Sequence, residues 1–284
     1  MEHARPSRTA LRVAMRRAAH QLCDARPLVF EDPMAVAILG PHAAEIERTP
    51  GRDPANKPRP YSISLRAFLV ARSRYAEDLL AQAVQRGVTQ YVLLGAGLDT
   101  FAHRNPYPGL RVFEVDHPAT QLWKRELLGN GPLAAPANLA YVPVDFERQS
   151  LAGQLSVVGF DGSAPTFFAW LGVVPYLTLD AFRATVTFIA SQSPGSGLVF
   201  DYAQPRSVLS PREQLAYDSL ASRVQLAGEA FQLFFTPAQV AAELAAFYDL
   251  EDLGAPEINE RYFANRRDGL RVIGSAPRIA SAWL

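Results

Sequence analysis

The chain has 284 residues, 49% of them hydrophobic, and its 28 basic side chains balance 28 acidic ones. That is length and apolar material for one large domain, and an aromatic content of 10% excludes a disordered chain. A net charge of zero argues against a nucleic-acid or polyanion surface as the main business of the protein.

Cys23 is the single cysteine, which excludes an internal disulfide and a thiolate metal cluster, and no metal site is expected. Near the end of an apolar helical stripe, it reads as a small buried hydrophobe. The longest apolar run, Thr166 to Leu179, is broken by Gly172 and Pro175 and is too short to cross a bilayer. Arg5, Arg8, Arg12, Arg16 and Arg17 interrupt any secretory apolar core, so the expected location is the cytoplasm.

Taken in chain order, a first helix has Thr9 as N-cap and Leu11, Ala14, Met15, Ala18 and Leu22 at helical spacing. Residues 24–60 are rich in Pro, Gly and charge, hold one short helical piece around Pro33 to Leu39, and read as a mobile cover. A long helix follows, capped by Ser62 or Ser64, with Leu65, Phe68, Leu69, Tyr75, Leu79 and Leu80 buried, and Gly87 ends it. From residue 90 short apolar runs alternate with helices: Gln90–Leu94, Arg111–Val115, Leu139–Val144, Thr166–Leu171 and Leu198–Tyr202 as strands, with Ala119–Leu128, Leu179–Gln192 and Pro211–Ala227 as helices. Phe231–Phe235, a helix over Pro237–Phe247 and a closing strand at Leu270–Gly274 complete the pattern. This alternation predicts an α/β fold: a doubly wound, mostly parallel Rossmann-like sheet, preceded by N-terminal helices lying across its carboxyl edge and carrying an inserted helical lid. Ligands of such sheets bind outside the carboxyl ends of the strands.

Three strand ends carry the chemistry. Tyr91-Val-Leu-Leu-Gly95-Ala96-Gly97-Leu-Asp99-Thr100 ends a strand in a glycine turn that lets backbone approach a ligand closely. Thr100 stands where a dinucleotide fingerprint has its third glycine, which weakens a nicotinamide-dependent oxidoreductase and favours a mononucleoside cofactor without a diphosphate. Arg111-Val-Phe-Glu114-Val-Asp116-His117-Pro118 ends the next strand on Asp116, placed to accept both hydroxyls of a ribose; a helix N-cap is its ordinary alternative. Glu114, on the same face, is a buried support. Tyr141-Val-Pro-Val-Asp145-Phe146 ends the third strand, where Asp145 either accepts from an adenine amine beside Phe146 or caps the following helix.

Residues 72 to 202 resemble the class I S-adenosylmethionine-dependent methyltransferases of the leucine carboxyl methyltransferase type, in particular their bacterial, largely uncharacterised branch. The resemblance rests on Ala71-Arg72, Leu94-Gly-Ala-Gly-Leu-Asp-Thr100, Phe113-Glu-Val-Asp116, Val144-Asp145-Phe146 and Pro175-Tyr176-Leu177-Thr178, with weaker echoes at Val13–Ala18 and Asp32-Pro33. It implies S-adenosyl-L-methionine as cofactor, with Arg72 on the cofactor carboxylate, Gly95, Ala96 and Gly97 along its methionine portion, Asp116 (next to His117) on the ribose, and Asp145 with Phe146 flanking adenine. Arg16 or Arg17 resembles a second cationic contact. Where many relatives have glutamate at the fourth strand end, this chain has Leu171, whose backbone alone can pass the cofactor. The resemblance divides a single domain into an N-terminal helical cap (1–86), a cofactor-binding core (87–204), a lid and acceptor segment (205–235) and a C-terminal completion of the sheet (236–284).

The expected reaction is O-methylation of a small-molecule acceptor, a carboxylate by preference, without nucleic-acid or membrane partners. A carboxylate is ionised at neutral pH and needs no general base. A hydroxyl acceptor needs one, and His103, His117, Asp201 and Tyr202 are the residues within range of a strand end, none of them assigned. Arg206 and Arg223 are weighed as holders of an anionic substrate against the plainer reading of solvated helix charges. The alternatives are the nicotinamide oxidoreductase and a catalytically silent cofactor-binding or interaction protein.

Overall fold

The computed structural model describes residues 7–48, 60–129, 135–145, 149–225 and 230–284. A seven-stranded sheet in the order β3-β2-β1-β4-β5-β7-β6 forms its centre. The strands are β1 (Gln90–Leu94), β2 (Arg111–Asp116), β3 (Leu139–Pro143), β4 (Thr166–Trp170), β5 (Gly197–Ala203), β6 (Tyr248–Leu253) and β7 (Pro277–Trp283). Neighbours from β3 through β5 pair parallel, and β7 runs antiparallel to both β5 and β6. β1 and β4 are buried at every position, as continuous apolar strands covered on both faces must be.

The helices are α1 (Arg8–Cys23), α2 (Ala43–Arg48), α3 (Pro60–Gln85), α4 (Phe101–Arg104), α5 (Pro118–Gly129), α6 (Leu151–Val157), α7 (Leu179–Ala190), α8 (Pro211–Gln225), α9 (Pro237–Glu243) and α10 (Ala255–Tyr262). One face of the sheet packs on α3 and α10, with Phe68, Tyr75, Leu80 and Ile258 meeting Tyr91 and Phe167. The other packs on α6, α7 and α9, through Leu155, Phe182, Ile189 and Val240. A smaller apolar cluster joins α1 to the segment behind it through Ala14, Ala18, Ile38 and Leu39.

Several sequence expectations shift. The closing strand is Pro277–Trp283, with β6 before it, and not Leu270–Gly274. That earlier stretch is held as irregular chain by side chains: Asn259 bonds the Val272 backbone both ways and Ser64 bonds Ile273 both ways. Ser64 therefore serves inside α3 and not as its cap. Ser7, not Thr9, caps α1, accepting from Ala10 N–H at 3.1 Å. Cys23 is exposed and Leu22 is 53% exposed, although His20 in the same last turn of α1 is buried. In the stretch expected to be a mobile cover, Phe30, Asp32, Ile38 and Leu39 are buried, and Asp24 pairs with Arg66 at 2.6 Å. Residues 49–59 lie outside the described residues. Among the described residues no helix is long and apolar enough to cross a membrane, and no group of three or more His, Cys, Asp or Glu is arranged to hold a metal ion.

Candidate cofactor site at the carboxyl edge of the sheet

A cavity of about 400 Å³ opens where the carboxyl ends of β1, β2 and β4 face the first turns of α1. Its floor is the glycine turn after β1. Gly95 and Gly97 have φ of +70° and +52°, a backbone that glycine adopts without a Cβ penalty. A Cβ on Gly95 would overlap Val173 Cγ2, and one on Gly97 would lie 3.1 Å from the Ala10 methyl. The turn is thus squeezed between the end of β4 and α1, and its Gly95 and Ala96 N–H groups both donate to Val115 O, at 2.8 and 3.0 Å.

Asp116, half-buried at the tip of β2, grips this turn. Its Oδ2 accepts Gly97 N–H at 2.5 Å and its Oδ1 accepts His117 N–H at 2.6 Å. Burial against the cavity wall raises its carboxyl above the ordinary 3.8, although the two N–H donors favour the ionised form. The alternative role as cap of α5 falls to its neighbour: His117 Nδ1 accepts Ala119 N–H at 3.2 Å. The neutral His117 ring therefore carries its proton on Nε2. Glu114 is the buried support expected of it, paired with Lys124 Nζ at 2.6 Å with both side chains 1% exposed. Burial raises the Glu114 carboxyl above its ordinary value against the pull of Lys124.

The opposite wall comes from α3 and the end of β4. Arg72, 6% exposed, lines the cavity, and among the described residues its one hydrogen bond runs from Nη1 to Asp201 Oδ2 at 2.7 Å. Leu171 and Gly172 also line it, and Gly172 N–H donates to Asp201 Oδ1 at 2.5 Å. Tyr176 and Gln232 stand farther along the wall, where Gln232 N–H donates to Pro175 O at 2.7 Å.

α1 roofs the cavity with Ser7, Ala10 and Val13 and is locked there by Arg17. Arg17 Nη2 donates to Asp32 Oδ2 at 2.6 Å and Thr100 Oγ1 at 2.9 Å, while Nη1 reaches Asp99 Oδ2 at 3.3 Å. Thr100 in turn donates to Asp32 at 2.8 Å. The hydroxyl that displaces a third glycine is thus a junction between the glycine turn and the N-terminal helix. Burial alone would raise the Asp99 carboxyl, but Arg17 and Arg104 beside it hold it below the ordinary value.

Arg72, Gly95, Ala96, Gly97, Asp116, His117 and Leu171 therefore meet at one cavity. Asp145 does not line it: one strand farther out, its amide donates to Gln149 Oε1 at 3.0 Å and its carbonyl accepts Gln149 N–H at 2.8 Å. Ser150, not Asp145, caps the helix that follows. Phe146 and the Arg223 side chain lie outside the described residues. Arg206 pairs with Asp218 at the surface, and Tyr202 donates to Asp252 at 2.5 Å; neither lines the cavity. In the sequence Arg17, Asp32 and Thr100 stand only as fragments of motifs, and no spacing rule joins them; Asp201, a candidate base by its place at a strand end, is the partner of Arg72.

Residues 10–190 match the family model described as leucine carboxyl methyltransferase. Over 213 residues, 73% of this chain and 70% of the relative, the sequence is 35% identical to YktD of Bacillus subtilis, provisionally named an S-adenosyl-L-methionine-dependent methyltransferase. A relative from Frankia alni with the same provisional description is 35% identical over 65% of this chain and 64% of its own length. The alignments thus span about two thirds of these relatives. The fold is similar to that of a provisionally named methyltransferase from Thermobifida fusca, at a TM-score of 0.56 and 17% identity over 99% of this chain and 96% of that one. A DUF574 family protein from Streptomyces avermitilis is similar at a TM-score of 0.55 and 17% identity, over 96% of each chain.

Proposed function

This chain belongs to the leucine carboxyl methyltransferase family of S-adenosyl-L-methionine-dependent methyltransferases, and from that premise we propose that it methylates the oxygen of a small-molecule carboxylate in the cytoplasm. The observation that carries the choice of acceptor is the state of the cavity wall. Each carboxylate and imidazole lining it among the described residues already has a holding role: Asp99 on Arg17, Asp116 on two backbone N–H groups, His117 with Nδ1 occupied. None is poised to take a proton from a hydroxyl, and a carboxylate needs none removed.

The wall suits the cofactor. Arg72 is a buried guanidinium with a single hydrogen bond among the described residues, so a carboxylate can take two parallel N–H bonds from its other edge. Asp116 uses one lone pair on each oxygen for backbone N–H groups and retains others for the hydroxyls of a ribose. Gly95, Ala96 and Gly97 offer bare backbone to the amino-acid portion, and the backbone of Leu171 passes it on the β4 side. Asp145 with Phe146 flanks adenine in this reading. When bound, the cofactor supplies an electrophilic methyl group on a sulfonium. The protein's part is to align acceptor oxygen with methyl carbon and to exclude water, and orientation of this kind can contribute about 7–11 kcal/mol. Segment 205–235 supplies the acceptor wall through Ala230 and Gln232, beside Tyr176. The single cysteine supports the cytoplasmic location.

Calorimetry with S-adenosylhomocysteine tests the cofactor half, with binding expected. Incubation with methyl-labelled cofactor and a panel of small carboxylic acids and phenols tests the acceptor half. Base-labile methyl esters are expected, and transfer confined to phenols overturns the carboxylate reading.

A further inference from the structure

We propose that Asp201 is a positioning residue for the amino-acid end of the cofactor: it holds the Arg72 guanidinium against the end of β4 so that its remaining N–H edge faces the cavity. The inference rests on the role given to Arg72 above. Asp201 sits near the carboxyl end of β5, buried, and does not itself line the cavity. One of its oxygens accepts Arg72 Nη1 at 2.7 Å and the other accepts Gly172 N–H at 2.5 Å, so the carboxylate bridges a side chain of α3 to the backbone after β4. Both side chains of the ion pair are 7% exposed.

Gly172 completes the seat. Its φ is +76°, and a Cβ there would lie 2.7 Å from Arg72 Nη2 and 3.1 Å from Nη1. The guanidinium thus lies on bare backbone at the position where the fourth strand has no acidic side chain to offer. A free guanidinium on a long stem samples many rotamers, and a carboxylate takes two parallel donors only from one held in its plane. Removing the negative charge of Asp201 would by itself strengthen the pull of Arg72 on an anion. The loss of orientation outweighs that gain, because Arg72 has no other hydrogen-bond partner among the described residues to fix it.

The test compares two ligands by calorimetry on the full chain: S-adenosylhomocysteine, and 5′-methylthioadenosine, which keeps the nucleoside and thioether and lacks the amino-acid groups. Asp201→Asn is expected to weaken S-adenosylhomocysteine roughly tenfold or more while methylthioadenosine changes by less than about twofold. Gly172→Ala, which crowds the guanidinium from the other side, is expected to give the same selective loss, and it carries the test if Asp201→Asn does not fold. Added to Arg72→Met, Asp201→Asn is expected to change nothing further. Equal weakening of both ligands, unchanged binding, or tighter S-adenosylhomocysteine binding overturns the proposal. If Arg72→Met leaves the preference for S-adenosylhomocysteine intact, the assignment of Arg72 itself fails. If Arg72→Met abolishes the preference and Asp201→Asn does not, only the positioning role fails.

Discussion

The cavity has two halves built in different ways. At the β1–β2 tips, Gly95, Gly97 and Asp116 belong to adjoining strands within 22 residues of chain, and Asp116 closes on Gly97 through one 2.5 Å bond. At the β4–β5 tips the corresponding unit is Arg72, Gly172 and Asp201, with 129 residues separating the ion-paired side chains. The first half relies on backbone N–H groups, whose places follow from the turn. The second relies on a long flexible cation that two other elements must hold. The contrast teaches that a local motif can present backbone by itself, whereas a buried charge needs partners brought from elsewhere in the fold.

The roof over both halves offers the largest perturbation. Asp32→Ala leaves Arg17, 4% exposed, without its shortest partner and strips Thr100 of its acceptor; a loss of about 3–5 kcal/mol of stability is expected in denaturant unfolding. Next, Asp116→Asn probes the local half. Binding of S-adenosylhomocysteine and methylthioadenosine is expected to weaken together, by about 1.5–3 kcal/mol, because both carry the ribose. A loss confined to one ligand would erase the distinction between the halves.

A titration sharpens the same contrast. In the proposed binding mode ribose hydroxyls donate to ionised Asp116, whose pKa burial raises above the ordinary 3.8. Affinity for S-adenosylhomocysteine is therefore full above the raised value and falls as pH drops through it, beginning higher than an ordinary aspartate would allow. The Asp116→Asn protein should lack this limb of the profile, which calorimetry across acidic pH would show. The smallest effect is expected far from either half: Cys23→Ser, at an exposed position, should shift stability by less than about 0.5 kcal/mol.

The parallel strands were legible because strands covered on both faces are short unbroken apolar runs between turn residues, as at Gln90–Leu94 and Thr166–Trp170. β6 was not: Tyr248–Leu253 reads Tyr-Asp-Leu-Glu-Asp-Leu, an edge strand whose first three positions are exposed and which therefore keeps charge. Leu270–Gly274 misled for the converse reason. Its Leu270 and Val272 are core residues, yet its backbone bonds to Asn259 and Ser64 instead of a neighbouring strand. Cys23 sits on the helical stripe of α1 by spacing, yet it is exposed while His20, in the same last turn, is buried.

The amino-acid order by itself determined the strand tips and the chemistry they display, since a glycine turn or a terminal aspartate is specified by a few adjacent residues. Only the tertiary structure decided which charges meet. Arg17 reaches Asp32 and Asp99, and Arg72 reaches Asp201, across separations over which local periodicity carries no information. The physical reason is burial: a charge removed from water must find its partner wherever packing delivers one.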